Sequence, residues 1–508
     1  MKPAVLLVNP PICKPSEPPA GIARLAGALR MHGIACHVLD AGLECLLWLL
    51  EQQTAADDTW TRRARSARLS HLEALRDPSL YRSPNRYRRA VSDLNRLAAV
   101  NSYPAEPGAG LADFNDRRFS ALSSIDLLAA ARQPEASTFH GWFGVRLLPM
   151  LDGIDTVGIS ICYLSQAASA FAMIGFIRHT RPDIRIIAGG GLVTSWISRP
   201  GWKNPFSGLI HELVAGPGEE RLLRFCGIEH DGGHAVVPDY DGFSLGRYLS
   251  PGMVLPYSAA SGCWWNRCSF CPERAEGNRY APVGAARAAD ELRRLTVRHR
   301  PALIHLLDNA VSPSLLATLA DDPPGAPWYG FARFGDQLDD PGFCRRLARS
   351  GCVMLKLGLE SGDQQVLDRL DKGIDLAVAS RVLVNLHEAG IAVYCYLLFG
   401  TPEEDQAAAC RTLDFTVRHH QAITFLNLAL FNMPAHGAET ARYETAPFYD
   451  GDLSLYTSFR HPLGWERRQV RNFLEKEFKR HPAVSPILRN DPPVFTSNHA
   501  AFFALFNK

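Results

Sequence analysis

The sequence predicts an α/β protein: a Rossmann-like parallel sheet with a helical insertion, then a partial (β/α)6 TIM-like barrel and a mixed C-terminal extension. Three observations predict it. Strand-sized apolar runs alternate with helical spacing in two separate series, over 4–225 and 257–430. A stretch rich in Arg, Leu and Ala, without clear strands, interrupts the first series. The length of 508 residues exceeds what one hydrophobic core supports.

The first series opens with a buried strand over 4–9, ended by Pro10-Pro11. Residues 21–32 have helical apolar spacing (Ile22, Leu25, Ala26, Leu29) and stop at Gly33, and 35–39 form a second strand. Residues 43–150 are the helical insertion, with loops near Pro84 and Pro104–Gly110. A strand over 156–161, a helix over 167–179 and a strand over 184–188 follow, running into Gly189-Gly190-Gly191. A last short strand over 212–215 leads to Gly216-Pro217-Gly218-Glu219. In open parallel sheets, ligands sit at such strand ends, where glycine admits close backbone approach. The domain is thus expected over 1–226, with a linker over 227–250 marked by Gly232-Gly233 and Pro238.

The barrel is expected over 251–432. Its strands fall at 257–260, 303–307, 329–333, 353–359, 392–399 and 424–430. Helices lie between them at 285–298, 339–350, 377–389 and 404–420. The extension, 433–508, carries one charged amphipathic helix over 465–480.

Charge narrows the function classes. With 54 basic and 52 acidic residues and no block of like charge, nucleic-acid binding is not expected. The start has one Lys and a short apolar run, unlike a secretory signal. The apolar stretches fall short of the roughly 20 residues of a membrane helix. A cytoplasmic protein without membrane contact is expected.

Twelve cysteines are unevenly spread: nine are isolated, and three fall within Ser261-Gly-Cys263-Trp-Trp-Asn-Arg-Cys268-Ser-Phe-Cys271-Pro, in a loop after a strand. Soft thiolates favour iron–sulfur clusters or zinc. Structural zinc needs a fourth ligand, but the next cysteine is Cys344 and His305 lies within a strand. Three ligands to a [4Fe–4S] cube leave one iron open. Ordinary buried cysteines and structural zinc are the alternatives.

This loop resembles the cluster loop of radical S-adenosylmethionine (SAM) enzymes, three cysteines with an aromatic, here Phe270, before the last. Four residues rather than the commoner three separate Cys263 from Cys268, as in several cobalamin-type families with a Cys-Trp-Trp or Cys-Tyr-Trp start. The resemblance implies that Cys263, Cys268 and Cys271 bind the cluster, and that the open iron takes the amino and carboxylate groups of SAM. Reductive cleavage would then give a 5′-deoxyadenosyl radical. It further implies SAM contacts from Asp308 (amino group), Arg333 (carboxylate), Glu360 or Ser361 (ribose) and Gly400, in a segment resembling Gly-x-Ile-x-Gly-x-x-Glu in which Tyr396 replaces the first Gly and Leu398 the Ile. Asp308 and Glu360 are alternatively helix caps, and Gly400-Thr-Pro a turn.

Residues 4–42 and 154–225 resemble the cobalamin-binding domain fused to many such enzymes, through Val8-Asn-Pro-Pro11, Pro18-Pro-Ala-Gly21, Val157-Gly-Ile-Ser160, Ala188-Gly-Gly-Gly191 and Gly216-Pro-Gly-Glu219. No Asp-x-His-x-x-Gly motif supplies a cobalt ligand. The resemblance implies that Asn9, Ser160, Tyr163, Gly189, Gly190, Gly191 and Gly216 line the corrin; a scaffold that has lost cobalamin is the alternative. The expected activity is cobalamin-dependent C-methylation of a small molecule or peptide, with flavodoxin or ferredoxin as electron donor. A non-methylating rearrangement or cyclisation, and a non-catalytic corrinoid carrier, remain open.

Overall fold

Strand β1 (Ala4–Asn9) is the run AVLLVN, with all but its first residue buried. Such continuous burial suits a parallel strand covered on both faces. It pairs in parallel with β2 (Ala35–Asp40) on one side and, across the insertion, with β5 (Thr156–Ser160) on the other. Strands β6 (Arg185–Gly189) and β7 (Glu212–Leu213) extend the sheet, giving the all-parallel order β2-β1-β5-β6-β7. The order reverses between β1 and β5, so the loops leaving these two strands diverge and open a crevice at their carboxyl ends.

The computed structural model describes residues 4–53, 56–102, 105, 107–229, 236–492 and 495–507. Gly232-Gly233 of the linker, Pro104 of the insertion loop and Met1–Pro3 lie outside the described residues. The insertion is largely helical, through Ala41–Glu51, Thr59–Leu75, Pro84–Asn101 and Ser124–Arg132. It is not free of strands: β3 (Pro107–Ala109) and β4 (Phe114–Asp116) form an antiparallel hairpin. Three residues are too few to display strand alternation in a sequence, which is why the hairpin was not expected.

The helix Leu164–Thr180 is buried continuously from Ser165 to Ile177. It packs closely on Ser124–Arg132 because Gly175 has no Cβ; one there would fall on the Ala131 backbone.

The second sheet runs β15-β14-β13-β12-β11-β8, all parallel and in chain order. Its strands are β8 (Val254–Tyr257), β11 (Leu303–Leu306), β12 (Trp328–Ala332), β13 (Cys352–Glu360), β14 (Ala392–Phe399) and β15 (Phe425–Leu430). The edges β8 and β15 do not pair with each other, so the barrel is open. The first strand ends at Tyr257, three residues before the expected end, because the chain turns into a separate ladder: β9 (Ala260–Ser261) pairs antiparallel with β10 (Ala281–Pro282). The intervening helices start at side-chain caps from Ser312, Asp340, Asp363, Asp375 and Asp405. The cap alternative for Asp308 and Glu360 therefore falls away: Ser312 and Asp363 do that work.

In the C-terminal region β16 (Met433–Pro434), β17 (Thr445–Pro447) and β18 (Tyr456–Phe459) form a small antiparallel sheet. The expected helix over 465–480 is α-helical over Arg467–Phe473 and widens to a π-turn over Leu474–Phe478. The chain divides into two compact units, Met1–Gly252 with Tyr449–Leu455 and Val494–Thr496, and Met253–Phe448 with Tyr456–Pro493 and Ser497–Lys508. Among the described residues no helix is long and apolar enough to cross a membrane.

Gly175→Ala tests the close helix packing. The added methyl is expected to destabilise the first unit by about 2–3 kcal/mol, read as an earlier first transition in urea unfolding.

Candidate active site

The three-cysteine loop leaves the carboxyl end of β8 and is held from several sides. Gly262 is left-handed (φ 70), and a Cβ there would lie 2.5 Å from the Arg279 carbonyl oxygen, so only glycine lets the loop start so close to 279–280. The Cζ2–Cη2 side of the Trp265 ring lies against Gly373, and its indole N–H donates to the Asp371 carbonyl at 3.0 Å. Arg267 pairs with the Asp371 carboxylate at 3.0 Å, and the Ser269 amide donates to the Leu370 carbonyl at 3.0 Å. Phe270 packs on Val366, Leu370 and Ala408. The loop is thus clamped to the turn after the helix Gln364–Arg369.

Cations collect on the same loop. The Arg333 guanidinium, just past β12, sits 4.3 Å from the Trp265 ring centre and 5.6 Å from that of Trp264, and donates to the Lys372 carbonyl. It also faces the sulfurs of Cys268 and Cys263. Lys372 Nζ lies 5.4 Å from the Phe270 ring centre and 2.8 Å from Glu360 Oε1. Burial raises the Cys271 thiol to about 11, against the backbone N–H groups of Glu273 and Arg274, which favour its thiolate. Burial likewise raises Cys268, against Lys372 and Arg333. Among the described residues no three or more His, Cys, Asp or Glu side chains are gathered as a metal cage. The trio shares one anchored loop, flanked by cations, without being drawn to a common centre.

The other expected SAM contacts divide. Asp308 is buried, accepts from the Ala259 amide at 3.1 Å and is raised by burial to about 6. Glu360 ends β13 with a left-handed backbone (φ 66) at a register shift in the β13–β14 ladder, a strained position for a residue with a Cβ. Its carboxylate occupies the space above Gly358, where a Cβ would come within 2.5 Å of Oε1. Ser361 is not available to a ribose: it is fully buried, its hydroxyl lies 3.2 Å from Thr412 Oγ1, and it accepts from the Asp363 amide. Gly400 (φ 79) donates its amide to Glu404 Oε2 at 2.6 Å.

Sequence reasoning missed Lys372, Asp371, the stacking role of the Trp264-Trp265 pair, and Glu404. The Asp-Lys-Gly turn at 371–373 was the legible signal, since Asp371 and Gly373 are both left-handed. Glu404 is fully buried; it also accepts from the Trp465 indole at 3.1 Å, and its Oε1 meets no hydrogen-bond partner among the described residues. Burial pushes its carboxyl up to about 8.

In the first unit the switch point brings most expected corrin contacts together. Gly21 lies close to Ser160 Oγ, which is 3.5 Å from Cys162 Sγ. Gly190 (φ 104) is forced by close approach: a Cβ would lie 2.5 Å from the Ile161 carbonyl oxygen. Gly191 sits against the Cys162 carbonyl, and Gly216 donates its amide to Thr194 Oγ1 at 2.9 Å, leaving open space on its Cβ side. Tyr163 is half exposed at the start of its helix. Asn9 differs. Its Nδ2 donates to Asp40 Oδ1 at 2.8 Å and to Cys13 Sγ, and its Oδ1 accepts from Gln166 Nε2 at 3.0 Å. Gln166 in turn accepts from the Cys162 and Tyr163 amides. Asn9 therefore braces the crevice from beneath instead of presenting its amide to it.

No family model matches the chain. Bacteriochlorophyllide d C-12(1)-methyltransferase of Chlorobaculum tepidum is 30% identical over 176 residues, 33% of this chain and 38% of that enzyme. The match thus spans well under half of the relative. Among solved structures, the radical SAM methyltransferase TsrM of Kitasatospora setae, with tryptophan and a SAM analogue bound, aligns over 96% of this chain and 89% of its own, with TM-score 0.56 and 16% identity. The chain has the fold of TsrM. The same enzyme with cobalamin and a [4Fe–4S] cluster bound aligns over 86% and 73%, with TM-score 0.52 and 17% identity. The cobalamin-dependent SAM radical enzyme OxsB, in its apo form, aligns over 86% of this chain and 54% of its own, with TM-score 0.50 and 14% identity.

Two outcomes follow from the site's charges. Lys372→Met strands the Glu360 carboxylate, whose side chain is 14% exposed, and is expected to cost about 3–5 kcal/mol. The double variant with Glu360→Gln should recover much of this loss, as read by a denaturation cycle. Glu404 has a pH signature. Its folded value lies above the ordinary 4.5, so the folded chain keeps a proton that the unfolded chain releases. Stability therefore falls as pH rises from 4.5 towards about 8 and then levels. His461, lowered by burial from 6.5, acts oppositely and only below that value. Between pH 7 and 8 the wild type should lose about 2–4 °C of melting temperature more than Glu404→Gln.

Proposed function

We propose that this chain is a radical SAM enzyme that transfers a methyl group with the help of cobalamin. One observation carries the reading: three thiols leave the carboxyl end of the first strand of an open six-stranded parallel sheet, on a loop clamped by Trp265, Arg267 and Phe270 and flanked by Arg333 and Lys372. Three soft donors and two cations suit an anionic thiolate-bound cluster better than a closed zinc site, which takes four ligands. TsrM, which shares the fold over nearly the whole chain, supports the reading. So does the methyltransferase relative over its shorter match.

Residues 251–432 would form the SAM-cleaving domain and 1–226 the cobalamin domain. Cys263, Cys268 and Cys271 would hold a [4Fe–4S] cluster. When bound, that cluster supplies the electron that splits a sulfonium C–S bond, and cobalamin supplies a methyl carrier. The chain's own groups bind and orient. Asp308, at the end of β11, would accept from the amino group of SAM, a bond that favours its carboxylate against the burial that raises it. Arg333 pairs with the SAM carboxylate. Glu360 accepts from the ribose hydroxyls while Lys372 balances its charge. Glu404 fixes the turn at Gly400 by holding its amide. In the first unit, Ser160, Tyr163 and Gly189–Gly191, with Gly216, line the corrin, and Asn9 and Gln166 hold the loops beneath it. The substrate is a small molecule or peptide, and a flavodoxin or ferredoxin delivers the electrons.

The test uses full-length protein purified without oxygen from cells given cobalamin. The expected result is one cluster and one corrinoid per chain, with 5′-deoxyadenosine and S-adenosylhomocysteine formed from SAM under reduction. Each of Cys263→Ala, Cys268→Ala and Cys271→Ala should lose the cluster absorbance and SAM cleavage while keeping the corrinoid. Wild-type protein that binds corrinoid but cleaves no SAM would be a carrier, and the enzyme reading would fall. Deoxyadenosine without S-adenosylhomocysteine would replace methylation with a rearrangement or cyclisation.

A further inference from the structure

The polar groups around the three thiols have separate tasks. The backbone N–H groups of Glu273 and Arg274 favour the thiolate of Cys271. The Arg333 guanidinium donates to Cys268 and acts on Cys263 through its charge. Lys372 adds its own charge at Cys268.

Two adjacent indoles stand in the same loop, and they differ. Trp264 and Trp265 meet edge to face, with ring centres 6.1 Å apart and planes at 85°. Arg333 lies over both, 5.6 Å from the Trp264 ring centre and 4.3 Å from that of Trp265. The N–H of Trp265 is engaged by the Asp371 carbonyl at 3.0 Å. The Nε1 of Trp264 is buried too, yet it meets no hydrogen-bond partner among the described residues. An indole nitrogen can only donate. A buried donor without an acceptor is costly, and folded chains leave few of them. Other donors of the loop have ordinary partners: Arg267 takes the Asp371 carboxylate, and the Ser269 amide takes the Leu370 carbonyl. Trp264 is the exception, and it directly follows Cys263. It also touches Arg333, which faces the sulfurs of Cys263 and Cys268.

The acceptor that suits this position is anionic sulfur. We propose that the Trp264 indole N–H donates to a sulfur of the iron–sulfur cluster held by Cys263, Cys268 and Cys271, and so raises the cluster's reduction potential. The inference rests on the radical SAM reading and assigns within it a residue that sets the potential. Gain of one electron adds a negative charge to the cluster. A hydrogen bond to sulfur strengthens as that charge grows, so it favours the reduced form. Trp265 has no such effect, because its N–H is spent on anchoring the loop.

The test is a potentiometric titration of full-length protein purified without oxygen, followed by absorbance and electron paramagnetic resonance, with and without SAM. Iron and sulfide assays report cluster uptake of each variant. Trp264→Phe keeps a ring beneath Arg333 and removes the donor. At a fixed ambient potential its ratio of reduced to oxidised cluster should fall about tenfold, a shift of about 59 mV for a one-electron couple. Trp264→His restores a ring N–H and should recover part of the shift. Trp265→Phe should lower cluster occupancy, with a smaller change of potential. A second measurement stands on the wild type, should Trp264→Phe fail to take up a cluster. Protein labelled with 15N at the indole nitrogens should show a hyperfine coupling to the reduced cluster. An unchanged potential in cluster-loaded Trp264→Phe, an equal fall in both tryptophan variants, a fall seen only with SAM bound, or no 15N coupling would each overturn the proposal. If the wild type holds its cluster and cleaves SAM in those cases, this inference falls alone. Wild-type protein free of iron and sulfide would remove the radical SAM reading and this inference with it.

Discussion

The cysteine loop is a long excursion between β8 and the helix Ala285–His299, holding the two-residue strands β9 and β10 and the one-turn helix Pro272–Ala275. Its position depends on one contact, Trp265 laid against Gly373. A Cβ at Gly373 would enter the indole ring, and the left-handed backbone there (φ 63) is one that glycine adopts without strain. With the ring in place, its N–H reaches the Asp371 carbonyl, and Arg333 rests on its face. Arg333 also donates to the Lys372 carbonyl, so the same short turn that holds the loop orients the cation beside the sulfurs.

This arrangement explains why the strained residue lies where it does. Glu360 ends the longest strand of the second sheet in a left-handed conformation, at the point where the β13–β14 register shifts. Lys372, twelve residues on, returns to pair with it above Gly358. A carboxylate and an ammonium of low exposure hold each other, and this pairing offsets both desolvation and backbone strain. Ser361, the next residue, is turned inward to Thr412 and anchors the helix Gln406–Arg418 to the strand end.

The first unit uses a different device. Its crevice arises from strand order alone, because the chain reverses direction of sheet growth between β1 and β5. Buried amides then stiffen it: Asn9 bridges Asp40 and Gln166, and Gln166 holds the backbone of Cys162 and Tyr163. Full pairing of buried polar groups makes such a network rigid. The glycines at its rim serve close approach, most clearly Gly190 against Ile161.

Read from residues alone, the sequence determined both parallel sheets, because continuous apolar runs separated by helical periods admit few other folds. It also marked the cysteine trio, since ligand spacing within a single loop is local information. The hairpin at 107–116 escaped because its three-residue strands are too short for alternation to stand out, and the early end of β8 because the β9–β10 pairing is not local. Site residues divided on the same principle. Asn9 and Ser361 stand in segments that resemble binding motifs, yet their side chains face partners 157 and 51 residues away. Lys372, Asp371 and Glu404 were invisible for the converse reason. A side chain's direction and its charge partner are set by packing between distant segments, and only the tertiary structure decides which polar atoms are already engaged and which remain for a ligand.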